Sequence, residues 1–300
     1  MVKLKLLIGG IVFIPLVAVL CDFSFGRFWF SERSDHQKLV KKPEQLSASA
    51  VSNQHSSVSD KAIVAQVNSA IFTVPNEFQG KIIQQAQLSK SDKVIALTFD
   101  DGPAPKYTQQ VLQILKQQNI KATFFCVGEM VHYFPKIAKL EVADGHAIGN
   151  HTWHQWYRHM NLSVAAREIE STATAIYQTM GVKTFLFRPP YGILNNGVAD
   201  YAQKNNYAVL MWSDDSIDYR RPPVSRLVNN VLKDAKPGGI LLMHDGGGDR
   251  SRTVKALPQI IASLKQRGYR FVTIPELLEI QEQKTPLVTT AQFHKGNKGT

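Results

Sequence analysis

The chain has 300 residues, 44% hydrophobic and 20% charged, ordinary proportions for a globular protein of one or two domains. Its 35 Lys and Arg against 24 Asp and Glu give a formal charge of +11, which favours an anionic partner. No zinc finger, basic heptad or aromatic-basic RNA motif accompanies that charge, so the expectation is no nucleic acid but an anionic envelope polymer or membrane surface.

Lys3 and Lys5 precede an apolar run from Leu6 to Cys21, a basic region followed by a hydrophobic one. The run is slightly shorter than the roughly 20 residues of a full span, and Phe23 with Phe28-Trp29-Phe30 supplies an interfacial belt. Ala18-Val19-Leu20 makes a poor cleavage site because its last position is not small. Residues 1–30 are therefore expected to form an uncleaved signal anchor, with a cleaved signal peptide as the alternative. The remainder then lies outside the cytoplasm, held at the inner or plasma membrane, or secreted if the signal is cut. Residues 31–74, rich in Ser, Gln, Lys and Asn, are expected to be a flexible tether, and 285–300 a polar tail. That leaves 75–284 as the folded domain. The two cysteines, Cys21 and Cys126, imply no disulfide framework, and Cys126 within an apolar run suits a buried small hydrophobe.

From Lys93 onward, strand-length apolar runs alternate with helical periodicity. Strand 94–99 precedes helix 107–118, strand 122–127 precedes helix 130–143, and strand 146–150 precedes helix 163–180, which Gly181 stops. Next come strand 185–188 with helix 195–205 and strand 208–212 with helix 224–235. Strand 240–244 with helix 253–266 and strand 269–273 with helix 275–280 complete the series. Such alternation means an α/β fold with a parallel sheet. Seven repeats without a glycine-rich dinucleotide turn favour a closed or nearly closed (β/α) barrel over a doubly wound sheet.

The unusual polar residues fall at the C-terminal ends of these strands. Asp100 and Asp101 follow the first, His151 the third, and Arg188 ends the fourth. Asp214, Asp215 and Asp218 follow the fifth, and His244 ends the sixth. In a parallel barrel those ends share one face, where active sites are built. Each residue alone has a plain structural explanation: Asp before Gly-Pro forms turns, and a histidine at a strand end is often a satisfied cap. Their joint placement points to one site. Trp153, Trp156, Tyr157 and His159 fit either sugar stacking or simple packing. Gly246-Gly247-Gly248 lacks the Lys-Ser/Thr of a phosphate cradle and is expected to be a mobile loop beside His244.

Thr98-Phe99-Asp100-Asp101-Gly102-Pro103 resembles the first motif of the polysaccharide deacetylase family, carbohydrate esterase family four. Gly149-Asn150-His151-Thr152 resembles the second, Arg188-Pro189-Pro190-Tyr191-Gly192 the third, residues 212–219 the fourth, and Leu242-Met243-His244 the fifth. The resemblance spans roughly residues 80–280 in the family's order. It implies a deformed (β/α) barrel of about seven strands. It also implies a metal-dependent hydrolase that removes N-acetyl groups from N-acetylglucosamine residues of a cell-envelope polysaccharide.

An acetamide resists hydrolysis because water is a weak nucleophile and the amine a poor leaving group; a divalent metal, here expected to be zinc, addresses the first. By resemblance, Asp101 and His151 bind the metal, and Asp100 is the general base, held ionised by Arg188. The backbone N–H of Tyr191 supports the oxyanion. His244 protonates the leaving nitrogen with Asp218 orienting its ring, and Tyr219 and Leu242 line the substrate pocket. The family's usual second histidine, four residues after His151, is Gln155 here, and Tyr219 stands where Trp is common. If residues 151–155 turn helically, His154 shares a face with His151 and becomes the third ligand. Gln155, His159 or a site with too few ligands remain open. Two other classes of function also remain: a catalytically weak glycan binder, and a deacetylase on another acetylated substrate such as xylan.

Overall fold

The structure, a computed structural model, describes residues 71–284. Its elements begin with β1 (Ile71–Phe72), β2 (Ile82–Ile83), β3 (Val94–Asp100), α1 (Tyr107–Gln117) and β4 (Thr123–Cys126). There follow α2 (Gly128–Tyr133), α3 (Pro135–Ala143), β5 (Ala147–Asn150), α4 (Leu162–Met180), β6 (Lys183–Thr184) and β7 (Leu186–Phe187). Then come α5 (Val198–Lys204), β8 (Ala208–Leu210), β9 (Asp214–Asp215), α6 (Val224–Asp234) and β10 (Gly239–His244). The series ends with α7 (Ser251–Gln266), β11 (Arg270–Val272) and α8 (Ile274–Lys284). The seven expected strands are β3, β4, β5, β7, β8, β10 and β11.

Every described strand pairing is parallel. From β8 the sheet passes through β7, β5, β4, β3 and β10 to β9. Because β8 and β9 are consecutive pieces of one segment, that path returns to where it began, and the sheet curls into a deformed barrel. One edge of β3 is shared: β11 takes Val94 to Ala96, and β4 takes Thr98 to Asp100.

All seven residues of β3 are buried, as a strand covered on both faces requires. Ile95, Leu97 and Phe99 pack with Val111, Val231 and Leu257 of the helical layer. Val94 and Ala96 pack instead with Phe125, Leu210 and Ile240 of the barrel interior. Each fully buried Leu, Ile or Phe contributes about 1.5–3 kcal/mol. The strand's period of two then sends Thr98 and Asp100 to the interior as well.

Several boundaries differ from expectation. The helix expected over 130–143 divides at Phe134, whose φ of −123° and ψ of 53° are non-helical. Pro135 lacks an N–H and crowds the residue before it, so one helix ends there and the next starts at the proline. The helix expected from 195 begins at Val198, because Gly197 adopts φ 103°, with the Met160 carbonyl oxygen 2.2 Å from where a Cβ would stand. The expected tether ends early: Ile71 and Phe72 pair with β6, and Val74 is buried. The anchor expected over 1–30, the rest of the tether and the tail at 285–300 lie outside the described residues. Among the described residues no helix is long and apolar enough to cross a membrane.

Candidate active site

Register brings the polar residues together. Parallel pairing sets His244 beside Asp100 across β10 and β3. It also aligns Asn150 with Cys126 and Phe187, so that His151 and Arg188 emerge side by side one residue later. Arg188 is fully buried inside the barrel. Its Nη1 donates to Asp100 Oδ1 at 2.8 Å and to the Thr98 hydroxyl at 2.7 Å. Nε and Nη2 donate to the carbonyls of Leu210 and Met211, at 3.0 and 3.1 Å. The guanidinium also lies over the Phe125 ring, 4.1 Å from its centroid. Burial lowers the Arg188 pKa, and the charge and hydrogen bond of the Asp100 carboxylate offset only part of that. The pair therefore holds a carboxylate in fixed orientation with its second oxygen facing the barrel mouth.

Next to it stands His151. Its Nδ1 lies 2.8 Å from the Arg188 carbonyl, which only accepts, so Nδ1 carries a proton and Nε2 is the ring atom left to face the site. Nε2 faces Asp101 Oδ1 at 3.5 Å and Asp100 Oδ2 at 3.9 Å. A shared proton or a bound cation satisfies such a cluster, and with Nε2 deprotonated the imidazole and the Asp101 carboxylate suit a divalent ion. Burial would raise the Asp101 pKa. The His151 hydrogen bond and the charges of His244, His151 and Arg250 reverse this and hold the carboxyl far below the usual range.

The structure does not bring the expected third ligand, His154, to this pair. Thr152 and Gln155 both have left-handed backbones, φ 64° and 58°, so residues 151–155 do not turn as a helix and the i, i+3 face never forms. The His154 ring instead bonds Glu168 Oε1 at 2.6 Å and stacks on Trp156 at 4.5 Å. Gln155 takes the position, its Nε2 donating to Asp101 Oδ1 at 2.5 Å.

On the opposite side Asp218, buried, accepts from His244 Nδ1 at 2.7 Å, from the His244 backbone N–H at 2.9 Å and from the Thr253 hydroxyl at 2.8 Å. With Nδ1 so engaged, Nε2 is the ring atom that can carry and hand over a second proton. Leu242, on the same interior face of β10 as His244, is buried, and the half-exposed Tyr219 ring sits edge-on to His244 at 5.8 Å. Tyr191 follows Arg188 closely, in a turn where its own φ is 59°, a costly conformation for a bulky residue. Its exposed ring stacks on Tyr157 at 3.7 Å. Asp215 accepts from the Tyr219 hydroxyl at 3.4 Å, whereas Asp214 is buried and pushed up to about 8, chiefly by burial.

Known proteins resemble the chain in sequence and in fold. The sequence profile of the polysaccharide deacetylase family matches residues 87–210. The chain is 42% identical over 194 residues to a peptidoglycan-N-acetylglucosamine deacetylase of Bacillus cereus, covering 64% of this chain and 91% of that one. It belongs to the polysaccharide deacetylase family. Among solved structures, a peptidoglycan N-acetylglucosamine deacetylase bound to a substituted N-oxidanyl-benzamide aligns with a TM-score of 0.63 and 34% identity. That alignment covers 68% of this chain and 94% of that one. A family-four pseudoenzyme from Bacillus anthracis aligns at TM-score 0.61 and 30% identity, over 66% of this chain and 69% of that one. The family's hydrolases act on carbon–nitrogen bonds and depend on a metal, and its deformed barrel is the fold described above.

Several supporting residues were not singled out from sequence. Thr98 was legible, since alternation puts it on the face of Asp100. Arg250, whose Nη2 lies 3.8 Å from Asp101 Oδ2, carries no local signal; nor does Thr253. The glycine triplet is no free loop. Arg250 donates to the carbonyls of Gly246 and Gly247, and a Cβ on Gly246 would stand 2.1 Å from the Asp101 carbonyl oxygen and 2.8 Å from the Gly102 nitrogen. Gly246→Ala is therefore expected to displace Asp101 and lower turnover about 10²-fold, with stability reduced by about 1–3 kcal/mol. Steady-state kinetics beside thermal unfolding checks both; unchanged turnover would show that the backbone yields elsewhere.

The His244 pair also sets a pH dependence. Burial would lower the His244 pKa, but the charge and hydrogen bond of Asp218, followed by the charges of Asp101 and Asp100, raise it from 6.5 to about 9. A raised folded-state pKa gives stability that is complete below about pH 6.5 and lost as pH climbs through about 9. In chelator, the melting temperature of the metal-free chain should fall across that interval, and the His244→Asn curve should be flatter there. Equal slopes would remove His244 as the source.

Proposed function

We propose that this chain hydrolyses the N-acetyl groups of N-acetylglucosamine residues in an envelope polysaccharide. The observation that carries the reading is the meeting of two buried ion pairs, Asp100–Arg188 and Asp218–His244, on either side of Asp101 and His151. Asp100, oriented by Arg188, accepts a proton from the attacking water through its second oxygen. His244 gives a proton to the departing amine through Nε2, and Asp218 keeps the ring in that tautomer. The backbone N–H of Tyr191 supports the developing oxyanion. Leu242 and Tyr219 form the wall for the acetyl methyl and the sugar. Asp101 and His151 would hold the metal, zinc in this reading, which when bound would supply a nucleophile near neutral pH and polarise the carbonyl.

The site works outside the cytoplasm, tethered through the apolar segment 6–21. An alkaline phosphatase fusion at the C-terminus should be active; an inactive one would place the site inside the cell. Acetate release by the full-length chain is expected from N-acetylglucosamine oligomers and peptidoglycan but not from acetylated xylan. Release from xylan alone would transfer the chemistry to another substrate. Gln155 at the third ligand position favours a second reading, a glycan binder without turnover. Glycan binding without acetate release in excess metal would select it.

A further inference from the structure

Three side chains meet at one corner of the barrel mouth. Asp101 and His151 bring a carboxylate oxygen and an imidazole nitrogen to 3.5 Å, and the Gln155 amide reaches the same Asp101 oxygen. Among the described residues no group of three His, Cys, Asp or Glu side chains is arranged to hold a metal ion. His154 cannot readily turn inward to complete one. Its ring and its backbone N–H both bond Glu168, which is only 3% exposed, and the Trp153 backbone N–H bonds the same carboxylate. Swinging the ring away would strip a buried carboxylate of a charge-assisted partner.

A side-chain amide has two ends of nearly equal size. A half-turn of the Gln155 amide exchanges the NH2 on Asp101 for a carbonyl oxygen, a neutral and hard donor. We propose that Gln155 is the third donor of this cation centre, and that the resulting set of one imidazole and two oxygen groups holds zinc weakly and exchangeably. Two effects act in that direction. Hard oxygen donors suit manganese and magnesium better than an imidazole does, which narrows the preference for zinc. Binding must also break the 2.5 Å hydrogen bond from Gln155 to the Asp101 carboxylate, a charge-assisted contact that satisfies the site when no ion is present. The centre is thereby poised to exchange its ion with the surroundings. This deepens the hydrolase reading given above and rests on it.

The experiment is competition of the metal-free, full-length chain against a chromophoric chelator for Zn2+ and for Mn2+. Gln155→His is expected to tighten zinc binding at least about tenfold and to leave manganese within about threefold. Gln155→Ala should loosen both ions, and His154→Ala should change neither. Circular dichroism checks that each variant is folded. Should Gln155→His fail to fold, Gln155→Glu replaces it, with both ions expected to bind more tightly. Zinc affinity unmoved by either substitution, or lost in His154→Ala, overturns the assignment. Acetate release is read separately: a Gln155→His chain that gains zinc yet hydrolyses no acetylated glycan upholds the ligand assignment and counts against the deacetylase reading.

Discussion

Arg188→Met is expected to destabilise the chain by about 3–5 kcal/mol, against total stabilities of about 5–15 kcal/mol for ordinary domains. The loss comes less from the ion pair itself than from what is left behind. Asp100, 3% exposed, would keep a buried charge without its cation, and the Leu210 and Met211 carbonyls would lose their donors. Methionine fills much of the volume, so cavity formation is a small part of the cost. Denaturant unfolding measures the total, and Asp100→Asn in the same background separates its parts. The double variant should recover a share of the loss, because a neutral amide tolerates burial that a carboxylate does not. If the double variant is no more stable than Arg188→Met alone, the guanidinium acts on the Leu210 and Met211 carbonyls and not on Asp100.

His244→Asn is expected to lower turnover by about two to four orders of magnitude, the usual contribution of a positioned general acid, while metal content stays unchanged. Asparagine preserves a donor towards Asp218, so the loop carrying that carboxylate should hold its place. What disappears is Nε2, the ring atom left to give a proton to the amine once Nδ1 is engaged by Asp218. Rapid single-turnover measurement distinguishes loss of the chemical step from slower product release. Full activity in this variant would reject the proton-donor role, and loss of metal would show that His244 supports the cation corner instead.

The fold was legible wherever a segment was long enough to show a period. The unbroken apolar run of β3 marks a strand buried on both faces, and α4 and α7 announce themselves by helical spacing. Two-residue pairings such as β1, β2, β6 and β9 have no period to read; only tertiary context creates them. The break at Phe134 was readable, since a proline restricts the residue before it, but amphipathic spacing across 130–143 masked it. At the site, strand ends gave Asp100, His151, Arg188 and His244. Which of His154 and Gln155 faces Asp101 was not readable, because it depends on left-handed backbones at Thr152 and Gln155, residue types that give no warning of that conformation. Glu168, on α4, fixes the outcome by capturing His154 from a distance in sequence that no local pattern spans.

The pairing of β3 with β10 has an evolutionary corollary. Asp100 and His244 both point inward because each strand keeps its parity from start to finish. Insertion or deletion of a single codon within either strand would leave the backbone ladder intact and rotate the acid or the base into the greasy helical shell. Such a lineage would lose its chemistry in one step while keeping its shape, so length within these two strands is expected to tolerate less change than the identity of most residues along them.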